Sequence, residues 1–220
     1  MTFRLLSFSR RSAAASIALG CVLGPPAGLI TAGPAGAADC PNVQVVFARG
    51  TAEDPGIGRV GQAFVDALQQ KIPNRTIGVY GVDYPASYNF LTAADGANDA
   101  SNFIQGFVNN CPNSRLILGG YSQGAAIMDI ITSVPFPAAG FTNPLPAAIA
   151  DKVAAVAVFG NPSERLQVPL TASPLYGVKS IDLCNDGDPI CSDGNDVEAH
   201  RTYADDGAAA RAASFAAARL

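Results

Sequence analysis

Histidine occurs once in these 220 residues, at His200, and 14 lysines and arginines stand against 18 aspartates and glutamates. No run of basic residues, no internal repeat and no long low-complexity segment is present. The formal net charge is −4. An acidic chain without a basic patch argues against binding to nucleic acid and against electrostatic docking on anionic lipid. A single histidine and the lack of any Cys-x-x-Cys spacing exclude a zinc site of the usual kind. A long unbroken apolar run is also missing. The stretch from Ala13 to Ile30 is interrupted by Gly24-Pro25-Pro26 and Gly28, which argues against a retained membrane helix.

What the N-terminus does hold is a leader. Arg4, Arg10 and Arg11 precede the apolar stretch, and Ala35-Gly36-Ala37 supplies the small residues of a cleavage site. Residues 1–37 are therefore expected to be a secretory signal peptide. Residues 38–220 would remain as a single domain, large enough to bury a core. Arg10-Arg11 lacks the large apolar followers of a twin-arginine signal, and Cys21 sits one place out of register for lipidation. The leader carries three arginines and no acid, so its removal takes the net charge from −4 to −7. Four cysteines remain, at 40, 111, 184 and 191. An even number in an exported protein favours disulfides. Of three possible pairings, the closeness of Cys184 and Cys191 favours a short clip, leaving Cys40 with Cys111. On the chain-entropy model the long bridge is worth ~4 kcal/mol and the short one ~2.5 kcal/mol.

Strands and helices alternate along the rest. Val43–Ala48 is a mostly apolar run of strand length. Val60, Phe64, Val65, Leu68 and Ile72 recur at helical spacing, and Pro73-Asn74 stops that helix. A β-branched and aromatic stretch, Thr76–Val82, precedes a second helical pattern over Ala94–Asn110. Further strands are expected at Arg115–Tyr121, Val153–Phe159 and Val178–Leu183, with helices at Gln123–Ser133 and Asp205–Leu220. The segment from Pro135 to Pro146 is too broken by proline for a helix. This order predicts an α/β fold, a parallel sheet covered by helices on both faces.

One turn stands out. Gly120-Tyr121-Ser122-Gln123-Gly124 joins a strand to a helix in the frame of a nucleophile elbow, with Ser122 at the tip. A serine hydroxyl needs a base to take its proton. His200 lies after the last expected strand, at the edge of an open α/β sheet where active sites form. The histidine in turn needs an acid, and the order serine, acid, histidine leaves Asp186, Asp188, Asp193 and Asp196. Asp188 is the best of these because it lies inside the Cys184–Cys191 interval, where a clip would hold it rigidly. Oxyanion donors are expected from the N–H of Gln123, at the start of a helix, and from the Gly50-Thr51 loop.

These residues resemble a family, the cutinases and the cutinase-like proteins of mycobacteria and related actinobacteria. The matching stretches are Phe47-Ala48-Arg49-Gly50-Thr51-Ala52-Glu53, Gly119–Ala125, Phe159-Gly160-Asn161-Pro162, Cys184–Cys191 and Ala199-His200, in family order across residues 38–220. The resemblance implies a small α/β-hydrolase with about five mostly parallel strands and no full lid. It implies Ser122 as nucleophile, Asp188 as acid, His200 as base, and Thr51 with Gln123 as oxyanion donors. It also implies the bridges Cys40–Cys111 and Cys184–Cys191. Where fungal cutinases are apolar around the histidine, this chain has Asp193-Gly194-Asn195-Asp196-Val197-Glu198 and Arg201, a polar rim that disfavours wax or polyester. Apolar acyl contacts are then expected from Phe136, Phe141 and Leu145, unless these belong to the core.

The expected protein is a secreted, monomeric serine esterase acting on short to medium acyl esters through an acyl-enzyme, either released or held in the cell envelope. No metal or organic cofactor is expected. The alternatives on the same site are acetylxylan esterase, lipase or phospholipase, or envelope-lipid acyl hydrolase. An alternative of another class is a catalytically idle secreted binding protein or antigen.

Overall fold

All six residues of the first strand, β1 (Val43–Ala48), are buried, as are all seven of β4 (Val153–Phe159). Strands buried on both sides belong inside a parallel sheet with helical layers. A computed structural model describes residues 40–166 and 169–220; the expected leader and Cys21 lie outside them. Besides β1 and β4, the strands are β2 (Ile77–Gly81), β3 (Arg115–Tyr121) and β5 (Ser180–Leu183). They form one sheet in the order β2-β1-β3-β4-β5, every pair parallel. The helices are α1 (Gly58–Lys71), α2 (Ala93–Asn110), α3 (Gln123–Ser133), the four-residue α4 (Pro162–Arg165) and α5 (Ala208–Ala217).

Successive side chains of a strand point to opposite faces, so each apolar run feeds two cores. Val46, Leu118, Val156 and Val158 join Ala97, Ile104, Ile127 and Met128 under α2 and α3. Phe47, Ile117, Ala157 and Phe159 join Phe64 and Leu68 of α1 and the alanine face of α5. Phe47, Phe64 and Phe159 pack there in tilted and edge-on pairs with ring centroids 6.2–6.3 Å apart. Burying one such side chain contributes roughly 1.5–3 kcal/mol.

The chain leaves β1 toward β2 on one side and later builds β3, β4 and β5 on the other. The crevice between the carboxyl ends of β1 and β3 is therefore a topological switch point, where open α/β sheets bind ligands. Both disulfides are present. Cys40–Cys111 ties the entry to β1 to the end of α2, with Cα atoms 5.6 Å apart, and Cys184–Cys191 closes the loop after β5, at 5.8 Å.

Three expectations change. The fifth strand starts at Ser180, not Val178, because pairing with β4 begins at Val156 and Ser180. Gly177–Lys179 is a short 3-10 turn without a strand partner, and Val178 is 90% exposed. The final helix spans Ala208–Ala217 only. Gly207 (φ 88°) breaks the chain before it, a left-handed conformation that suits glycine. The third concerns the proline-rich segment, where Phe141 and Leu145 take the second of their two expected roles and are core residues.

Candidate active site

Ser122 follows the last residue of β3 and precedes the first residue of α3, with φ 56° and ψ −117°. A positive φ on a non-glycine residue costs on the order of 1–3 kcal/mol and persists only where neighbours impose it. Here the Ser122 N–H donates to the carbonyl of Phe159 at 2.9 Å, and its own carbonyl accepts from Ala125 N–H at 2.9 Å. The flanking glycines are required by close approach. A Cβ on Gly120 would overlap the Gly124 carbonyl, and one on Gly124 would overlap the carbonyl of Ala48 in β1. The Gly-x-Ser-x-Gly spacing thus lets strand, helix and β1 close on one another while the serine is pushed outward.

His200 reaches this serine from a 3-10 turn, Ala199–Arg201. Its Nε2 is 2.9 Å from Ser122 Oγ, and its Nδ1 is 2.7 Å from Asp188 Oδ2. Asp188 is fully buried and has two further donors, Ile190 N–H at 2.7 Å and Tyr203 hydroxyl at 2.6 Å. Tyr203 is itself fully buried; burial first, then the bond to Asp188, push its hydroxyl far above the usual tyrosine range, so it stays a donor. The Tyr121 hydroxyl donates to the His200 carbonyl at 2.7 Å, and burial pushes its pKa up to about 12. The other three aspartates do not enter the arrangement. Asp186 and Asp193 are exposed, and Asp196 accepts from Glu198 and Ala199 N–H groups, shaping the turn before the histidine. Chemically, a neutral imidazole so placed can take the serine proton while the carboxylate holds its other N–H.

Across the switch point lies the loop after β1. Arg49 is 4% exposed and donates to three backbone carbonyls, of Glu53 (2.9 Å), Val82 (3.2 Å) and Tyr84 (2.6 Å). The Glu53 carboxylate returns to the N–H groups of Gly50 (2.7 Å) and Arg59 (2.9 Å). This frame carries Thr51 to the mouth of the elbow, where its hydroxyl donates to Gln123 Oε1 at 3.1 Å. Gln123 is the first residue of α3, and the leading N–H groups of a helix have no intrahelical acceptor. An oxyanion could be received between Thr51 and Gln123, with the helix dipole adding to the donors.

The family model that matches, described as Cutinase, covers residues 39–220. The chain belongs to the cutinase family. Among cutinase-family relatives, Phospholipase Culp4 of Mycobacterium tuberculosis is 54% identical over 209 residues, spanning 94% of this chain and 88% of that protein. Carboxylesterase Culp1 of Mycobacterium bovis is 45% identical over 215 residues, spanning 92% and 94%. Among solved structures, a Trichoderma reesei cutinase in complex with a phosphonate inhibitor is similar at 37% identity and a TM-score of 0.64, covering 80% of this chain and 75% of that one. The catalytic core domain of acetyl xylan esterase from Trichoderma reesei is similar at 27% identity and a TM-score of 0.72, covering 83% and 100%.

A cleft of about 600 Å³ opens over Ser122, within the usual range for small-ligand sites. Its apolar wall comes from Tyr88, Phe90, Ala126, Pro162, Ile190 and Val197. The acyl contacts expected from Phe136, Phe141 and Leu145 are absent. Phe141 and Leu145 are core residues, and Phe136 is exposed away from the cleft wall. The sequence signal that could have found the true wall is Tyr88-Asn89-Phe90-Leu91, whose large side chains stay 63–85% exposed in the segment before α2. The polar stretch before His200 is also less polar at the site than it reads, because Val197 lines the cleft. Tyr203 and Tyr121 were missed as well. Tyr203 lies three residues past His200, and nothing in its local pattern distinguishes it from a packing tyrosine.

Proposed function

We propose that this cutinase-family protein is a secreted, monomeric serine esterase that hydrolyses carboxylic esters of short to medium acyl length through an acyl-enzyme. Ser122 attacks the ester carbonyl, and His200 takes the hydroxyl proton at Nε2. Asp188 holds the imidazole N–H at Nδ1 and stabilises the imidazolium. The carbonyl oxygen, now an oxyanion, is received by the Thr51 and Gln123 N–H groups with the Thr51 hydroxyl nearby. The tetrahedral centre collapses, the C–O bond to the alcohol breaks, and His200 returns the proton to the departing alkoxide. A water molecule, deprotonated by the same imidazole, then attacks the acyl-serine; the acyl C–Oγ bond breaks, the acid leaves, and His200 returns the proton to Ser122 Oγ. The observation that supports this most is the continuous chain from Ser122 Oγ through His200 to buried Asp188, with both contacts under 3 Å.

The cleft favours acyl chains longer than acetyl, because its wall is largely apolar, with Phe90, Ile190 and Val197 lining the same cleft as Ser122. Activity on a phospholipid, the reaction in one relative's name, uses the same step on a larger alcohol. Export is supported by the leader pattern of residues 1–37 and by two disulfides, which persist in oxidising compartments. Among the described residues no helix is long and apolar enough to cross a membrane.

The test is turnover of p-nitrophenyl esters from acetate to laurate, with fluorophosphonate labelling of the purified protein. Butyrate to octanoate should exceed acetate, and Ser122→Ala should lose both turnover and label while its circular dichroism is unchanged. A Ser122→Ala variant that keeps near wild-type turnover would sink the assignment. A wild type that takes no label would instead favour the idle binding protein.

A further inference from the structure

One side of the His200–Asp188 pair rests on backbone, while the Tyr121 ring packs against the imidazole with centroids 5.0 Å apart. Gly160, the first residue after β4, has φ 56°, and a Cβ there would lie 2.7 Å from His200 Cε1 and 3.1 Å from Asp188 Oδ2. Its N–H donates to the carbonyl of Leu183, the last residue of β5, at 2.9 Å. Any drift of this turn therefore moves the surface on which the imidazole rests.

What holds the turn is the next residue. Asn161 is fully buried, and each atom of its amide is used. Its Oδ1 accepts from Ser163 N–H at 3.1 Å and caps α4. Its Nδ2 donates to Asp182 Oδ2 at 2.7 Å and to Asp129 Oδ1 at 3.3 Å. The Ser163 hydroxyl donates to the other oxygen of Asp129. Asp129 lies on α3, which starts beside Ser122. Asp182 lies on β5, whose loop carries Asp188. One amide thus joins the helix behind the nucleophile, the strand before the acid and the floor under the base.

Burying two carboxyl groups around one amide is costly. Asp182 Oδ1 is buried and has no partner among the described residues. Arg165 on α4 is directed elsewhere, to the Pro189 carbonyl and toward Asp193. The remaining charged group from a packed element is Glu164 on α4, of the same sign. Burial first, then Glu164 and Asp129, push Asp182 up to about 8 against the pull of the Asn161 amide. Burial likewise pushes Asp129 up to about 6.

We infer that Asn161, clamped between Asp129 and Asp182, is a positioning residue for the esterase reaction, fixing the Gly160 turn so that His200 stays within reach of Ser122 and Asp188 together. The inference rests on the proposed serine mechanism. It assigns to the Phe159-Gly160-Asn161-Pro162 stretch the task of supporting the base from below. A shift of the order of 1 Å in a reacting group can cost about a hundredfold in rate, so the support acts on kcat and leaves substrate affinity largely alone.

The experiment compares Asn161→Ala, Asp182→Ala and Asp182→Asn on p-nitrophenyl butyrate at pH 7, with fluorophosphonate labelling rates alongside. Asn161→Ala should lower kcat about tenfold or more with KM within about twofold, and slow labelling by a similar factor. Asp182→Ala, which removes the acceptor, should lower kcat in the same way. Asp182→Asn keeps an oxygen for the Asn161 amide and should restore kcat to within about twofold of wild type. The Asp182 pair stands in should Asn161→Ala not fold. A folded Asn161→Ala protein with wild-type kcat and labelling would overturn the inference, as would Asp182→Asn falling as far as Asp182→Ala. An unlabelled wild type would overturn the esterase reading itself, which separates the two failures.

Discussion

Two loops at the carboxyl edge of the sheet bring Thr51 and Asp188 to the same crevice, and they are made rigid by different means. The loop after β5 is closed covalently by Cys184–Cys191, and inside it Asp188 meets Ile190 N–H and the Tyr203 hydroxyl. The loop after β1 has no covalent tie. It is wound around buried Arg49, whose guanidinium satisfies three carbonyls, and around Glu53, whose carboxylate satisfies two N–H groups. A guanidinium with five donors in a fixed fork can order a loop from within, where a short crosslink orders it from its ends. In the first case the constraint is lost when one side chain is shortened. In the second it is shared among several independent contacts.

That difference sets an order of expected effects. Asp188→Asn leaves the clipped loop in place but changes what His200 Nδ1 meets, so kcat on p-nitrophenyl butyrate should fall about 10³–10⁴-fold with the fold intact. A smaller fall would mean that the β5 loop serves structure more than chemistry. Arg49→Lys puts a compact ammonium where a planar fork is needed and leaves buried carbonyls unpaired. It should lower unfolding stability by about 2–4 kcal/mol in urea titrations and reduce kcat through Thr51. Replacing Cys184 and Cys191 together by serine should cost ~2.5 kcal/mol by the same titrations. Its effect on kcat should be smaller than that of Arg49→Lys, because Tyr203 and Ile190 still hold Asp188. The reverse ranking would show that the clip, not the hydrogen bonds, orders the acid.

The smallest expected effect concerns the turn that lies between the two loops. Asp129 and Asp182 titrate near 3.8 when unfolded and are raised to about 6 and about 8 when folded. The folded state then binds more protons than the unfolded state across that interval. Their contribution to stability is full below about pH 4 and is lost as pH rises through 6 and then 8. Asp182→Asn removes the upper part of that loss. Thermal melts from pH 5 to 9 should show the variant's Tm rising relative to wild type as pH increases, and a constant difference would contradict the assignment.

Much of this was legible in the chain, for reasons that differ by element. β1, β3 and β4 are continuous apolar runs because both faces are covered, and α1 repeats its apolar residues at helical spacing. Ser122, Asp188 and His200 stood out because the elbow glycines, a close cysteine pair and a solitary histidine each leave a local mark. The acyl wall did not. Phe136, Phe141 and Leu145 are as apolar as Tyr88, Phe90 and Ile190, and only the path of the backbone puts the second group beside Ser122. Val178 misled for a related reason, since a β-branched residue next to a strand looks like part of it until strand pairing is known.

By itself, then, the order of residues carried the layered α/β class through periodicity, favoured a Cys184–Cys191 clip through closeness, and narrowed the site to Ser122, His200 and four candidate aspartates, with the family resemblance singling out Asp188 and the full bridge set. Tertiary structure alone decided how those side chains are held. Tyr203 donates to Asp188 across 15 positions, Arg49 to Tyr84 across 35, and Asn161 to Asp182 across 21. A hydrogen bond between distant residues leaves no periodic trace, because its partners are chosen by the packing of whole elements and not by their neighbours along the chain.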